Sequence, residues 1–136
     1  MSVIGETFFT VVGCMDGRCQ EAAAEFGRKK FGAKYADTIT EPGVEGMLAN
    51  NPSEEFLENL KNKLLISLEK HHSQGIIVDG HAECAGNPVD DKTHKAHIRN
   101  AVGSIMKLTQ GKVPVVGVFV HRCPEDHTVW EVEEIT

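Results

Sequence analysis

The sequence predicts an α/β fold of three layers: a mostly parallel sheet in strand order 2-1-3-4, an antiparallel edge strand, and helices on both faces. Three observations predict it. Short apolar, β-branched runs alternate with longer segments whose apolar residues recur at helical spacing, the order that builds a parallel sheet through crossover helices. The runs "TFFTVVGC" and "VPVVGVFV" are apolar almost throughout, as strands covered on both faces are. Finally, "HRCPEDHT" between the fourth run and the last is too short for a crossover helix, so the last strand turns back antiparallel.

Each element follows in order. Residues 7–14 form the first strand. The Ala-rich segment "QEAAAEFGRKKFG" (20–32) is a helix, stopped by Gly32 because glycine readily takes the left-handed conformation that ends helices. "KYADTIT" (34–40) is the second strand, closed by Pro42 and Gly43. A long helix comes next: Asn51 is placed to cap it, Pro52 suits its first position, and Glu54 stands where a capping-box acid belongs. Phe56, Leu57, Leu60, Leu64, Leu65 and Leu68 then recur along one face until Gly75. "GIIVDGH" (75–81) is the third strand. The segment 92–111 is a helix with Ile98, Ala101, Val102, Ile105 and Leu108 on its buried side, and 113–120 is the fourth strand. "TVWEVEEI" (128–135) sets Val129, Glu131 and Glu133 against Trp130, Val132 and Glu134, the alternation of an edge strand.

Bulk properties narrow the function. The chain has 136 residues, read as one domain over 1–136, with 40% hydrophobic and 25% charged residues. A formal charge of −6, with the basic residues scattered, argues against nucleic acid as a partner. No apolar stretch is long enough to span a bilayer, and "MSVIGETFF" has no basic n-region. A cytoplasmic protein is expected. In that reducing compartment its four cysteines are metal ligands, nucleophiles or core residues rather than disulfides.

The chemistry concentrates at strand ends, where open parallel sheets gather their ligands. Cys14 ends the first strand, and "HAEC" places His81 and Cys84 at the end of the third. With strands 1 and 3 adjacent, the three residues meet as one His and two Cys, a donor set suited to Zn2+ with one position left for water. In "CMDGR", Asp16 and Arg18 follow Cys14 at intervals of two. Along an extended segment both lean the same way, Arg18 holding the Asp16 carboxylate ionised beside the metal. Asp16 then either accepts a hydrogen bond from the metal's water or displaces it as fourth ligand.

"CMDGR" followed by "HAEC" resembles the Cys-x-Asp-x-Arg and His-x-x-Cys signatures of the β-class carbonic anhydrases. The resemblance implies that Cys14, His81 and Cys84 hold zinc and that Asp16 and Arg18 form the dyad orienting its hydroxide. The implied reaction is hydration of CO2 to bicarbonate, and the implied assembly is a homodimer. The chain departs from that pattern at Gly17, at Ala85, in the loop "TEPGVEG" (40–46), and in beginning almost at its first strand, without the family's N-terminal arm. Two alternatives follow: a hydrolase of COS or CS2 on the same scaffold, or a non-catalytic zinc protein whose metal site is closed by Asp16 or Cys123. Because two thiolates already neutralise Zn2+, hydration activity is expected to rise with pH above neutrality.

The remaining candidates read as structural. Cys19 starts a helix. Cys123 and His121 follow the fourth strand, about 10 Å from Cys14 by strand spacing. His94 and His97 lie on a solvated helix face, His71 and His72 in the last turn of the long helix, and Trp130 packs in the core or an interface.

Overall fold

Residues 5–136 are described by a computed structural model of the chain. The first four residues, on which part of the N-terminal reading rests, lie outside them. The strands are β1 (Phe8–Gly13), β2 (Tyr35–Thr40), β3 (Ile76–His81), β4 (Val115–Arg122) and β5 (Trp130–Glu134). The helices are α1 (Gly17–Phe31), α2 (Val44–Ala49), α3 (Glu54–Lys70) and α4 (Asp91–Thr109). The strands form one sheet in the order β2-β1-β3-β4-β5, parallel except for the antiparallel β4–β5 pair. This is the predicted topology.

Side-chain alternation divides the core between the two faces of the sheet. Phe9 and Val11 of β1, Ile77 of β3, and Val116, Val118 and Val120 of β4 pack with Cys19 and Ala23 of α1. Val12, Ile76 and Val78 point the other way, onto Val44 and Leu48 of α2, Leu60 and Leu64 of α3, and Ala101, Val102 and Ile105 of α4. Complete burial of each large aliphatic or aromatic side chain contributes roughly 1.5–3 kcal/mol, which is why strands covered on both faces carry almost no polar residues.

Several element ends shift by a few residues, α1 beginning at Gly17 and β4 at Val115, and three differences from the sequence reading have a clear local reason. The long helix begins after Ser53, not Asn51: the Ser53 hydroxyl accepts the Phe56 N–H at 3.1 Å, while Asn51 has φ +50. It ends at Lys70, so His71 and His72 lie past its last turn, where His71 Nδ1 meets Asp37 Oδ2 at 2.7 Å. The short helix α2 follows Gly43 inside "TEPGVEG", a stretch with too few apolar residues to show a period. Among the described residues no helix is long and apolar enough to cross a membrane.

Candidate metal centre

Parallel pairing of β1 with β3, in the register Thr10↔Ile76 to Val12↔Val78, brings the carboxyl ends of these strands together. Cys14 follows β1, His81 ends β3, and Cys84 lies in the turn beyond it. Their ligand atoms all fall within 4.8 Å of one another, with all three residues buried. The Cys14 and Cys84 sulfurs are 3.8 Å apart. The sequence-predicted set is thus assembled, and Cys123 and His121 are not part of it.

Local contacts prepare these atoms for a metal. His81 Nδ1 lies 2.7 Å from the carbonyl of Ala82, to which it donates, and this leaves Nε2 carrying the lone pair. Nε2 is fully buried and has no hydrogen-bond partner. An unpartnered buried acceptor facing two sulfurs fits a soft divalent cation far better than it fits an apolar core. Burial opposes ionising Cys14, yet the adjoining His81 ring and the N–H groups of Gly43 and Asp16 bring its thiol down to about 7. The Gly43 N–H donates to Cys14 Sγ at 3.4 Å. Burial and the neighbouring Cys14 push the Cys84 thiol up to about 11.

Below the cluster, the Cys14 N–H donates to Asp79 Oδ1 at 3.2 Å. Asp79 is buried, and burial pushes its carboxyl up to about 7. A Cβ on Gly13 would overlap that carboxylate, so glycine is required at the end of β1. Sequence reasoning passed over Asp79; an acid inside "GIIVDGH" was the available signal.

Asp16 and Arg18 reach the cluster by a different route from the one predicted. The segment is not extended: Asp16 caps α1, its Oδ1 accepting the Arg18 N–H at 2.8 Å, and Arg18 lies in the first turn. The Arg18 guanidinium then folds back, Nη2 donating to Asp16 Oδ2 at 2.7 Å and Nε donating to both oxygens. These bonds hold the Asp16 carboxyl down at about 2. Asp16 Oδ2 lies 3.8 Å from His81 Nε2, which sets an ionised carboxylate at the mouth of the cluster.

A second polar group lies on the other face of the sheet. Glu45 of α2, fully buried, receives Asn87 Nδ2 at 2.9 Å and faces His94 Nδ1 at 2.8 Å. His94 is therefore a core residue, not part of a solvated face, while half-buried His97 meets Asn87 at 3.0 Å. Despite burial, the hydrogen bonds from His94 and Asn87 keep the Glu45 carboxyl below its ordinary range. This group ties α2 and α4 to the loop that follows Cys84.

Comparison with known proteins bears on the fold and the family. A family model described as "Putative carbonic anhydrase" matches residues 4–136. No curated protein matches the chain in sequence. Among solved structures, the β-carbonic anhydrase isoform I of Trichomonas vaginalis superposes with a TM-score of 0.61 at 19% identity, over 96% of this chain and 82% of that one. The carbonic anhydrase of Streptococcus mutans gives 0.60 at 17% identity, over 97% and 82%. That of Glaciozyma antarctica gives 0.60 at 16%, over 97% and 83%. At such identities these likenesses speak for the fold, and the family model speaks for descent: the chain belongs to the carbonic anhydrase family and has the β-class fold.

Proposed function

We propose that the protein hydrates carbon dioxide to bicarbonate, with zinc held by Cys14, His81 and Cys84. The supporting observation is the convergence of these three buried donors beneath a carboxylate that Arg18 holds ionised. Zinc bound there would supply Lewis acidity and lower the pKa of a water, less strongly than in a site without thiolates, so that reactivity grows above neutral pH. The chain's own residues do the rest. The Ala82 carbonyl fixes the His81 tautomer, so that Nε2 is always the ligating atom. Asp16, ionised at any working pH, accepts a hydrogen bond and cannot donate one, which selects the orientation of a reacting water. Arg18 occupies the Asp16 oxygens from the opposite side and keeps them from rotating.

A non-catalytic zinc protein is the second reading, favoured by one distance. Asp16 Oδ2, 3.8 Å from His81 Nε2, is near enough to serve as a fourth ligand once released from Arg18. We further propose a cytoplasmic protein, from the sequence reading above, and a homodimer, from the resemblance to the β-class pattern.

Stopped-flow hydration by zinc-replete protein at pH 7 and pH 9, with Asp16→Ala alongside, tests the proposal. Turnover that increases with pH and collapses in the variant is expected. Zinc-replete protein with no turnover at either pH would sink the reading, and assays with COS and CS2 would follow.

A further inference from the structure

The Asp16–Arg18 pair is the inner part of a larger arrangement. Glu83, between His81 and Cys84, has φ +60, a left-handed backbone conformation uncommon outside glycine. Its carbonyl accepts Arg18 Nη2 at 3.0 Å, and its Oε1 lies 3.5 Å from Arg18 Nη1. The same carboxylate accepts Arg122 Nε at 2.7 Å and Arg122 Nη2 at 3.2 Å, while Arg122 Nη1 donates to the His127 carbonyl at 2.6 Å. Arg122 ends β4 and is the register partner of Trp130, which begins β5. The guanidinium carbons of Arg122 and Arg18 lie 4.6 and 5.1 Å from the centroid of the Trp130 ring.

We propose that Glu83, Arg122 and Trp130 are positioning residues that hold the Arg18 guanidinium, and through it the Asp16 carboxylate, at the mouth of the metal cluster. The proposal rests on the reading of Asp16 as the acceptor that orients the reacting water.

The physical case starts from how little a lone ion pair achieves. The Arg18 side chain is 41% exposed, and an exposed pair is weakened by solvent screening and by the entropy of long side chains. Asp16 and Arg18 on their own would sample several geometries. The contacts around them remove that freedom. Asp16 takes one edge of the guanidinium, Glu83 takes the next, and the guanidinium carbon lies over the Trp130 ring, where a cation is attracted to the aromatic face. Arg122 braces Glu83 with a two-point contact and shares the Trp130 ring, so the frame is a network rather than a single pair. A left-handed non-glycine residue persists where surrounding contacts over-determine it, and Glu83 has such contacts on both its backbone and its side chain. The antiparallel β4–β5 hairpin thereby reaches a site otherwise built from β1, β3 and α1.

The test reads Arg18 directly in the zinc-replete protein by 15N NMR of its side-chain Nε–H, assigned by its disappearance in Arg18→Lys. Slow exchange with water is expected in the unmodified protein. Arg122→Ala and Trp130→Leu should speed it by about tenfold or more, whereas Trp130→Phe, which keeps an aromatic face, should stay within about threefold. Urea melts establish that each variant is folded. Should a truncation fail to fold, Glu83→Gln, which removes only the charge, carries the same expectation. In the hydration assay kcat should fall with exchange protection while KM holds. Unchanged Arg18 exchange in the folded variants would overturn the proposal, since Asp16 alone would then suffice. Absence of hydration by the unmodified protein would instead strike the carbonic anhydrase reading and leave the exchange result to stand or fall separately.

Discussion

The Asp16 carboxylate comes within 3.8 Å of the buried Nε2 of His81, although one residue caps a helix and the other ends a strand. Arg18, bonded to both Asp16 oxygens, fixes the carboxylate in that position.

Removing that guanidinium should change how Asp16 titrates. Hydrogen bonds from Arg18 hold its carboxyl at about 2, so the stabilisation they give is complete above the ordinary carboxylate range near about 4 and is lost as pH falls towards 2. In Arg18→Ala the Asp16 midpoint should return towards about 4. Carboxyl 13C NMR titration measures it, and a midpoint that stays near 2 would show that another group holds the charge.

Zinc uptake should release protons in a pH-dependent number. Both thiols must ionise to bind metal, and they start from about 7 for Cys14 and about 11 for Cys84. His81 must give up a proton as well, since despite burial the neighbouring Cys14 holds its ring above the ordinary imidazole range. Release should therefore exceed two protons per zinc at about pH 6 and fall towards one at about pH 9, as Cys14 ionises and His81 neutralises in advance. Calorimetry in buffers of different ionisation enthalpy counts them. Cys84→Ser should lower both the count and the affinity.

Gly13→Ala should destabilise the protein and disturb the metal ligands together. The added methyl group overlaps the Asp79 carboxylate, whose partner is the backbone N–H of Cys14. Overpacking of this kind costs about 1–3 kcal/mol, and here the displaced group supports a ligand. Urea denaturation and a zinc competition assay should therefore both shift. A variant with native stability and native affinity would contradict the close approach.

The Glu45–His94 pair offers a test of buried polar pairing. Glu45→Ala strands His94 and Asn87 without their shared acceptor and should cost about 3–5 kcal/mol, whereas replacing both Glu45 and His94 by apolar residues should cost much less. Denaturation of the two single variants and the double variant decides it. Equal loss in single and double variants would mean that packing, not pairing, holds α2 to α4.

Much of this protein was legible because its signals are local. Apolar runs and helical periods determined the strands, three of the helices and the sheet order, since burial on two faces leaves an unmistakable pattern. Cys14, His81 and Cys84 were legible for a related reason: a parallel sheet brings the ends of adjacent strands together, so residues at those ends must meet.

Other features depend on what lies across space, and no window of sequence contains it. Asp16 and Arg18 were found, but the geometry that joins them is a helix cap and not an extended segment. His94 read as solvated because its helix gives no sign that Glu45 of α2 would pack over it. Asp79 lay unnoticed in an apolar strand, and Trp130 gave no hint of the two guanidinium groups it meets. Patterning determined the fold and the meeting of Cys14, His81 and Cys84, because burial and strand alternation are properties of the chain itself. Tertiary structure decided which polar groups face one another, because the direction of a buried hydrogen bond depends on the partner that packing supplies.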